Sequence, residues 1–135
     1  MHLVFIERKV EGMPSIAIIG ASTDRSKFGN KAVRVFADKG YKIYPIHPKA
    51  TEIEGHTAYA TISLVPIESL DMVSFYLPPE LGMRIIEDLA KKTVKEVWFN
   101  PGAESPELIA KAESLGLNVI AACSIVGIGA SPSRY

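Results

Sequence analysis

Apolar residues fall along this chain in short blocks of two alternating kinds, and that alternation sets the expected architecture. Ile16-Ala17-Ile18-Ile19, after a Gly12-Met13-Pro14 break, is a run without period-2 alternation, as expected of a strand buried on both faces. The segment from Lys31 to Lys39 instead places Ala32, Val35 and Phe36 at i, i+3 and i+4, which predicts a helix with one apolar stripe, stopped at Gly40. Tyr41 to Ile46 reads as a second strand, in which Pro45 indicates a sheet edge or a departure from the ladder. A long connection follows, expected to be an irregular excursion around Ile53-Glu54-Gly55 and Tyr59, with a short helix near Ile62 to Leu64. Met72 to Leu77 reads as a third strand by its β-branched and aromatic content, and Val94 to Phe99 and Leu117 to Ala122 supply two more. Helices are expected from Pro79 to Lys92 and from Pro106 to Ser114, the latter capped by Ser105 and stopped by Gly116.

Strands alternating with helices imply βαβ units, parallel strands and right-handed crossovers. The expected fold class is therefore α/β: a doubly wound, mainly parallel five-stranded Rossmann-like sheet with helices on both faces, a three-layer α/β/α arrangement. A chain of 135 residues suits one such domain, with residues 1–14 as an amino-terminal extension and 124–135 as a carboxyl-terminal tail. No solenoid-length repeat or low-complexity segment interrupts it. Met13, just before the first strand, offers a second start position besides Met1.

Composition narrows the function. Hydrophobic residues make up 47% and charged residues 22%, and 15 basic side chains balance 15 acidic ones, which disfavours nucleic-acid binding through bulk charge. One cysteine, Cys123, excludes an intramolecular disulfide and a cysteine-only metal cluster and points to a cytoplasmic setting. The amino terminus lacks the basic and apolar regions of a signal peptide, and no apolar run approaches a membrane span. His2, His47 and His56 lack metal-ligand spacing, and no nucleophile–base constellation stands out, so neither a metal site nor catalytic residues are expected.

In a doubly wound sheet the ligand lies beyond the carboxyl ends of the strands, so the loops there carry the candidate chemistry. Gly20, Ala21, Ser22 and Thr23 follow the first strand; their small size admits a close anion and the hydroxyls can donate to it. Lys27, Phe28, Gly29 and Asn30 open the next helix, whose free N–H groups and positive dipole end suit a pyrophosphate. The same residues also satisfy a plain turn and cap. The glycine spacing departs from G-x-G-x-x-G, which counts against a simple NAD site. His47, Pro48 and Lys49 follow the second strand where NAD-binding domains usually carry an acid; a lysine there suits a ribose phosphate, as in coenzyme A or NADP, or is simply a solvated surface residue. Tyr76-Leu77-Pro78 and Asn100-Pro101-Gly102 form stiff lips fit to flank an adenine or pantetheine arm, although proline and glycine also serve ordinary turns there.

Together these segments resemble the small CoA-binding domain family, related to the amino-terminal CoA-binding domain of the succinyl-CoA synthetase α subunit. The resemblance covers about Ser15 to Cys123. It rests on Ile16 to Ser22, Gly29, Gly40 to Lys49, Glu52-Ile53-Glu54-Gly55 and Val97 to Gly102. It implies a CoA diphosphate at the Gly20-Ala21-Ser22 turn, the nucleotide phosphate near Lys49, and Tyr76, Leu77, Pro78, Asn100 and Gly102 closing over the ligand. It also implies that ligase activity needs a histidine on a further domain, so a non-catalytic CoA or acyl-CoA binding protein is expected. Two alternatives stay open: an NADP-linked oxidoreductase, and a ligand-free interaction module whose apolar tail from Ile125 to Ala130 packs on a partner protein, a second copy or its own core.

Overall fold

The computed structural model describes residues 12–135. The proposed extension before Gly12, with His2, lies outside the described residues. Five parallel strands form the main sheet: β1 (Ser15–Ile19), β2 (Lys42–Ile46), β5 (Ser69–Phe75), β6 (Thr93–Phe99) and β7 (Val119–Ala121), in the order β2-β1-β5-β6-β7. The chain runs outward from β1 to β2 through helix α1 (Phe28–Asp38). It then returns across β1 to β5 and continues through α2 (Pro79–Leu89) and α3 (Pro106–Ser114) to β7. The direction reverses between β1 and β5, the position at which such sheets open a crevice.

All five β1 residues are buried, which explains the absence of alternation in that run. Ala17, Ile19, Val73, Phe75, Val97 and Phe99 belong to the core beneath α2 and α3, with the Phe75 and Phe99 rings 4.9 Å apart. Ile16, Ile18 and Met72 pack with Ala32, Val33, Val35 and Phe36 of α1 on the opposite face. The stripe read in the sequence is therefore the buried face of α1.

Pro45 lies on the edge strand. Its carbonyl accepts the Tyr59 N–H (2.9 Å) and the Tyr59 carbonyl accepts the His47 N–H (2.9 Å), so the missing Pro45 N–H falls on the outer side of the sheet. The excursion before Tyr59 is more ordered than expected. Glu52–Ile53 (β3) pairs antiparallel with His56–Thr57 (β4) across a two-residue turn in which both Glu54 (φ 50°) and Gly55 (φ 81°) are left-handed. A type I′ turn requires this at both positions, and glutamate tolerates it poorly, which is why the hairpin signal in the sequence is weak. The single 3₁₀ turn Ile62–Leu64 follows as anticipated.

Beyond β7 the chain does not project away. Ser124–Gly127 forms a short helix, α4, with Ser124 and Ile125 buried, and Ile128, Ala130 and Tyr135 pack on the α1 side of the sheet. Of the placements open for the tail, the structure adopts its own core, leaving Val126 as the large hydrophobic side chain of the segment that stays exposed (59%). No helix among the described residues is long and apolar enough to cross a membrane.

Helix α3 begins as its sequence indicates: the Ser105 side chain accepts the Leu108 N–H at 3.1 Å, with Pro106 at the first helical position. Ser105→Ala is expected to cost about 1 kcal/mol, which thermal unfolding should register as a fall of roughly 3–6 °C.

Candidate functional site

The turn after β1 is set by backbone proximity. Gly20 has φ 90°, and a Cβ there would meet the Tyr76 carbonyl carbon at 2.9 Å, because the Tyr76 N–H donates to Ile19 O at 2.8 Å. On the other side, a Cβ on Gly29 would overlap the Gly20 carbonyl oxygen. The start of α1 is thus pressed against the β1 turn, and only glycine allows both approaches.

The loop between them is organised by its own short side chains. Ser22 Oγ accepts the Asp24 N–H (3.0 Å), and Asp24 Oδ1 accepts from both the N–H (3.0 Å) and hydroxyl (2.7 Å) of Ser26. The Ser26 hydroxyl and N–H together hold the Asp24 carboxyl below its ordinary pKa. These residues brace the loop rather than cap the helix. Lys27 occupies the cap position without a side-chain bond, and the N–H groups of Phe28 and Gly29 have no acceptor among the described residues. Ser22 keeps its O–H available to donate.

Asn30 is fully buried and ties this loop down from beneath. Its amide nitrogen donates to Ser22 O (2.9 Å) and Glu54 Oε2 (3.1 Å), and its oxygen accepts from Arg34 Nε (2.8 Å). Glu54 also lies 3.5 Å from Arg25 Nε. The left-handed glutamate of the hairpin is therefore held where it clamps the loop after β1, a use for backbone strain of order 1–2 kcal/mol.

Three adjoining cavities form one crevice along the strand ends. The central one, about 510 Å³, is lined by Gly20, Ser22, Ser26, Lys27, Phe28, Gly29, Tyr76, Leu77, Pro78, Pro101, Gly102 and Ala103. A second, about 480 Å³, extends towards β2 and α2 and adds Ala21, His47, Pro48, Ala60, Leu81, Arg84 and Ile85. A third, about 290 Å³, lies towards β7, between Phe28, Tyr76, Asn100, Pro101, Cys123 and Pro132. Tyr76 borders all three.

Thirteen of the sixteen site residues read from the sequence thus line one crevice. The other three do not form its wall: Thr23 and Lys49 are exposed, and Asn30 is buried. Lys49 stands at the rim, one residue past Pro48. Its N–H (3.0 Å) and that of Ala50 (2.8 Å) donate to His47 Nδ1, the acceptor part that asparagine or aspartate commonly plays in turns. That assignment places the proton of the neutral ring on Nε2.

Asn100 faces the third cavity, but its amide is spent internally. It donates to Ser74 Oγ (2.7 Å) and Phe75 O (2.8 Å) and accepts from the Ser124 N–H (2.8 Å). Ser124 Oγ in turn lies 2.8 Å from Ser74 Oγ and 3.0 Å from the Tyr76 hydroxyl. Burial pushes the Tyr76 pKa up, so its O–H stays intact at neutral pH. Sequence reasoning missed this network because its members lie 24–50 positions apart. It also missed Arg84, although Leu81, Arg84 and Ile85 share a helix face at i, i+3 and i+4 spacing.

A doubly wound parallel sheet with its crevice at the strand carboxyl ends defines a Rossmann-like α/β domain. Within that class, residues 14–129 match the family model described as the CoA binding domain, and the chain belongs to that family. It is 26% identical over 115 residues to acetate–CoA ligase (ADP-forming) I of Archaeoglobus fulgidus, a match covering 78% of this chain and 17% of that protein. It is 36% identical over 81 residues to acetate–CoA ligase (ADP-forming) of Methanocaldococcus jannaschii, covering 60% of this chain and 11% of the relative. The chain therefore corresponds to less than one fifth of the length of these curated relatives. Among solved structures, a conserved hypothetical protein of Pyrococcus furiosus superposes with a TM-score of 0.77 at 30% identity, covering 85% of this chain and 99% of that one. An acetyl-coenzyme A synthetase of Ca. Korarchaeum cryptofilum, solved with phosphate and ADP, superposes at 0.69 with 32% identity, covering 80% of this chain and 25% of that one.

Gly29→Ala is expected to lower stability by about 1–3 kcal/mol, because its methyl group would meet backbone and not a yielding side chain. The check is the urea midpoint, which should fall with the m-value unchanged. A full-strength midpoint would mean that α1 can retreat from the β1 turn.

Proposed function

We propose that this domain binds coenzyme A or an acyl-CoA and holds it without transforming it, as a carrier, sensor or partner subunit. The observation that carries the reading is the glycine turn after β1, with N–H groups at the start of α1 that have no acceptor among the described residues, beside Lys27 and the Ser22 hydroxyl. Such a group of donors in a partly dehydrated crevice suits a diphosphate, and belonging to the CoA-binding family supports the same ligand. The diphosphate lies over Gly20-Ala21-Ser22, the nucleotide phosphate towards His47, Pro48 and Lys49, and the pantetheine arm along Tyr76, Leu77 and Pro78. Phe28, half-exposed at 52% between the central and third cavities, supplies an apolar lip for that arm. Asn30 and Asn100 act as positioning residues, one fixing the phosphate loop and the other the strand ends. The crevice brings together cations, hydroxyls and apolar walls, a chemistry of retention. The full ligase reaction of the longer relatives would draw on chain beyond this domain.

Thermal unfolding with CoA, dephospho-CoA, NADP and NAD, each in large excess, tests this reading. A ligand at a hundred times its dissociation constant adds about 2.7 kcal/mol, a shift of several degrees. The expected result is a clear shift with CoA, a smaller one with dephospho-CoA and none with NAD. Stabilisation by NADP alone would transfer the reading to an oxidoreductase-like domain, and no shift with any ligand would favour an interaction module. Lys49→Ala is expected to weaken CoA roughly ten- to a hundred-fold, which calorimetric titration would measure; an unchanged affinity would remove Lys49 from the site.

A further inference from the structure

The cavity between β2 and α2 has a distinct charge pattern. Among the described residues no aspartate or glutamate lines it, yet Lys27 and Arg84 do, together with His47. Most other basic side chains nearby are engaged. Arg25 and Arg34 interact with Glu54, Asn30 and the loop backbone, Lys31 sits over the Phe28 ring, and Lys42 over Tyr44. Arg84 and Lys27, in contrast, make no side-chain hydrogen bond or ion pair among the described residues. His47 is locked through Nδ1, which leaves Nε2–H as its donor. Leu81 and Ile85, one helical turn apart, flank Arg84 and give the cavity an apolar wall.

We infer that Arg84 and the Nε2–H of His47, with Lys27 shared between this cavity and the central one, form a phosphomonoester subsite that determines specificity for the ribose phosphate of the nucleotide. Lys27 and Arg84 are both exposed at this wall, and no carboxylate among the described residues lines the cavity, so its charges favour a dianion. A guanidinium is the group best shaped to grip two phosphate oxygens at once. The apolar face of Leu81 and Ile85 beside it suits the base of the same nucleotide. Helix α2 thereby takes part in recognition, whereas Lys49, which does not line the cavity, acts from its rim. The inference rests on the proposed CoA reading and adds to it the residue that tells CoA from its dephospho form.

Calorimetric titration of CoA and dephospho-CoA into the wild-type protein, Arg84→Gln and Arg84→Lys separates the two propositions. The wild type is expected to prefer CoA. Arg84→Gln should lose roughly ten- to a hundred-fold in CoA affinity, while binding of dephospho-CoA stays within about twofold, which also reports an intact fold. Arg84→Lys should recover part of the preference, since it keeps the charge and loses the fork. If Arg84→Gln keeps the full preference, or if the wild type binds both ligands equally, the subsite is overturned and the CoA reading stands. If the wild type binds neither ligand, both fall.

Discussion

The close approach between the Gly20 carbonyl and the first turn of α1 constrains everything at the functional end of the molecule. A side chain at position 29 would force α1 away from β1, and one at position 20 would collide with the carbonyl of Tyr76. With both absent, a strand, a helix start and the neighbouring strand end converge within backbone contact. Phe28 and Gly29, whose N–H groups have no acceptor among the described residues, then line the crevice. Packing on the two faces of the sheet reinforces this: the buried stripe of α1 fixes the helix axis, so its N-terminus has one position relative to the turn.

Around that contact, polar side chains act mainly as ties. Asn30 joins the loop after β1 to the hairpin through Glu54, and Asn100 joins β5 to the first residues of α4 through Ser74 and Ser124. Among the described residues no buried side-chain polar atom lacks a partner. Buried and fully bonded amides of this kind are costly to disturb, which suits residues whose task is to hold loops at fixed separations. Tyr76 connects the two halves: its ring borders every cavity of the crevice and its hydroxyl reaches Ser124.

Electrostatics at the site depends on where charges are satisfied more than on how many there are. The chain carries no net formal charge. Carboxylates such as Glu54, Asp71 and Glu87 are paired with cations and line none of the three cavities of the crevice, whereas Lys27 lines the central one and, with Arg84, the one towards β2 and α2. A neutral protein can in this way present a local anion site without the long-range positive field that would attract nucleic acid.

The sequence by itself determined the strand–helix alternation, the parallel sheet, the edge position implied by Pro45 and the Ser105 cap, because periodicity, proline and capping chemistry act over a few residues. It also located the loops that line the crevice, since in a parallel sheet every strand end delivers its following loop to the same side. The direction of Arg84, the retreat of Lys49 to the rim and the internal use of Asn30 and Asn100 were decided by the tertiary structure. So was the return of residues 124–135 onto their own core. Each depends on which distant groups come within hydrogen-bonding or packing distance. Glu54 shows the division most clearly: its left-handed turn runs against local preference, and only the partners supplied by Asn30 and Arg25 explain why it is held there.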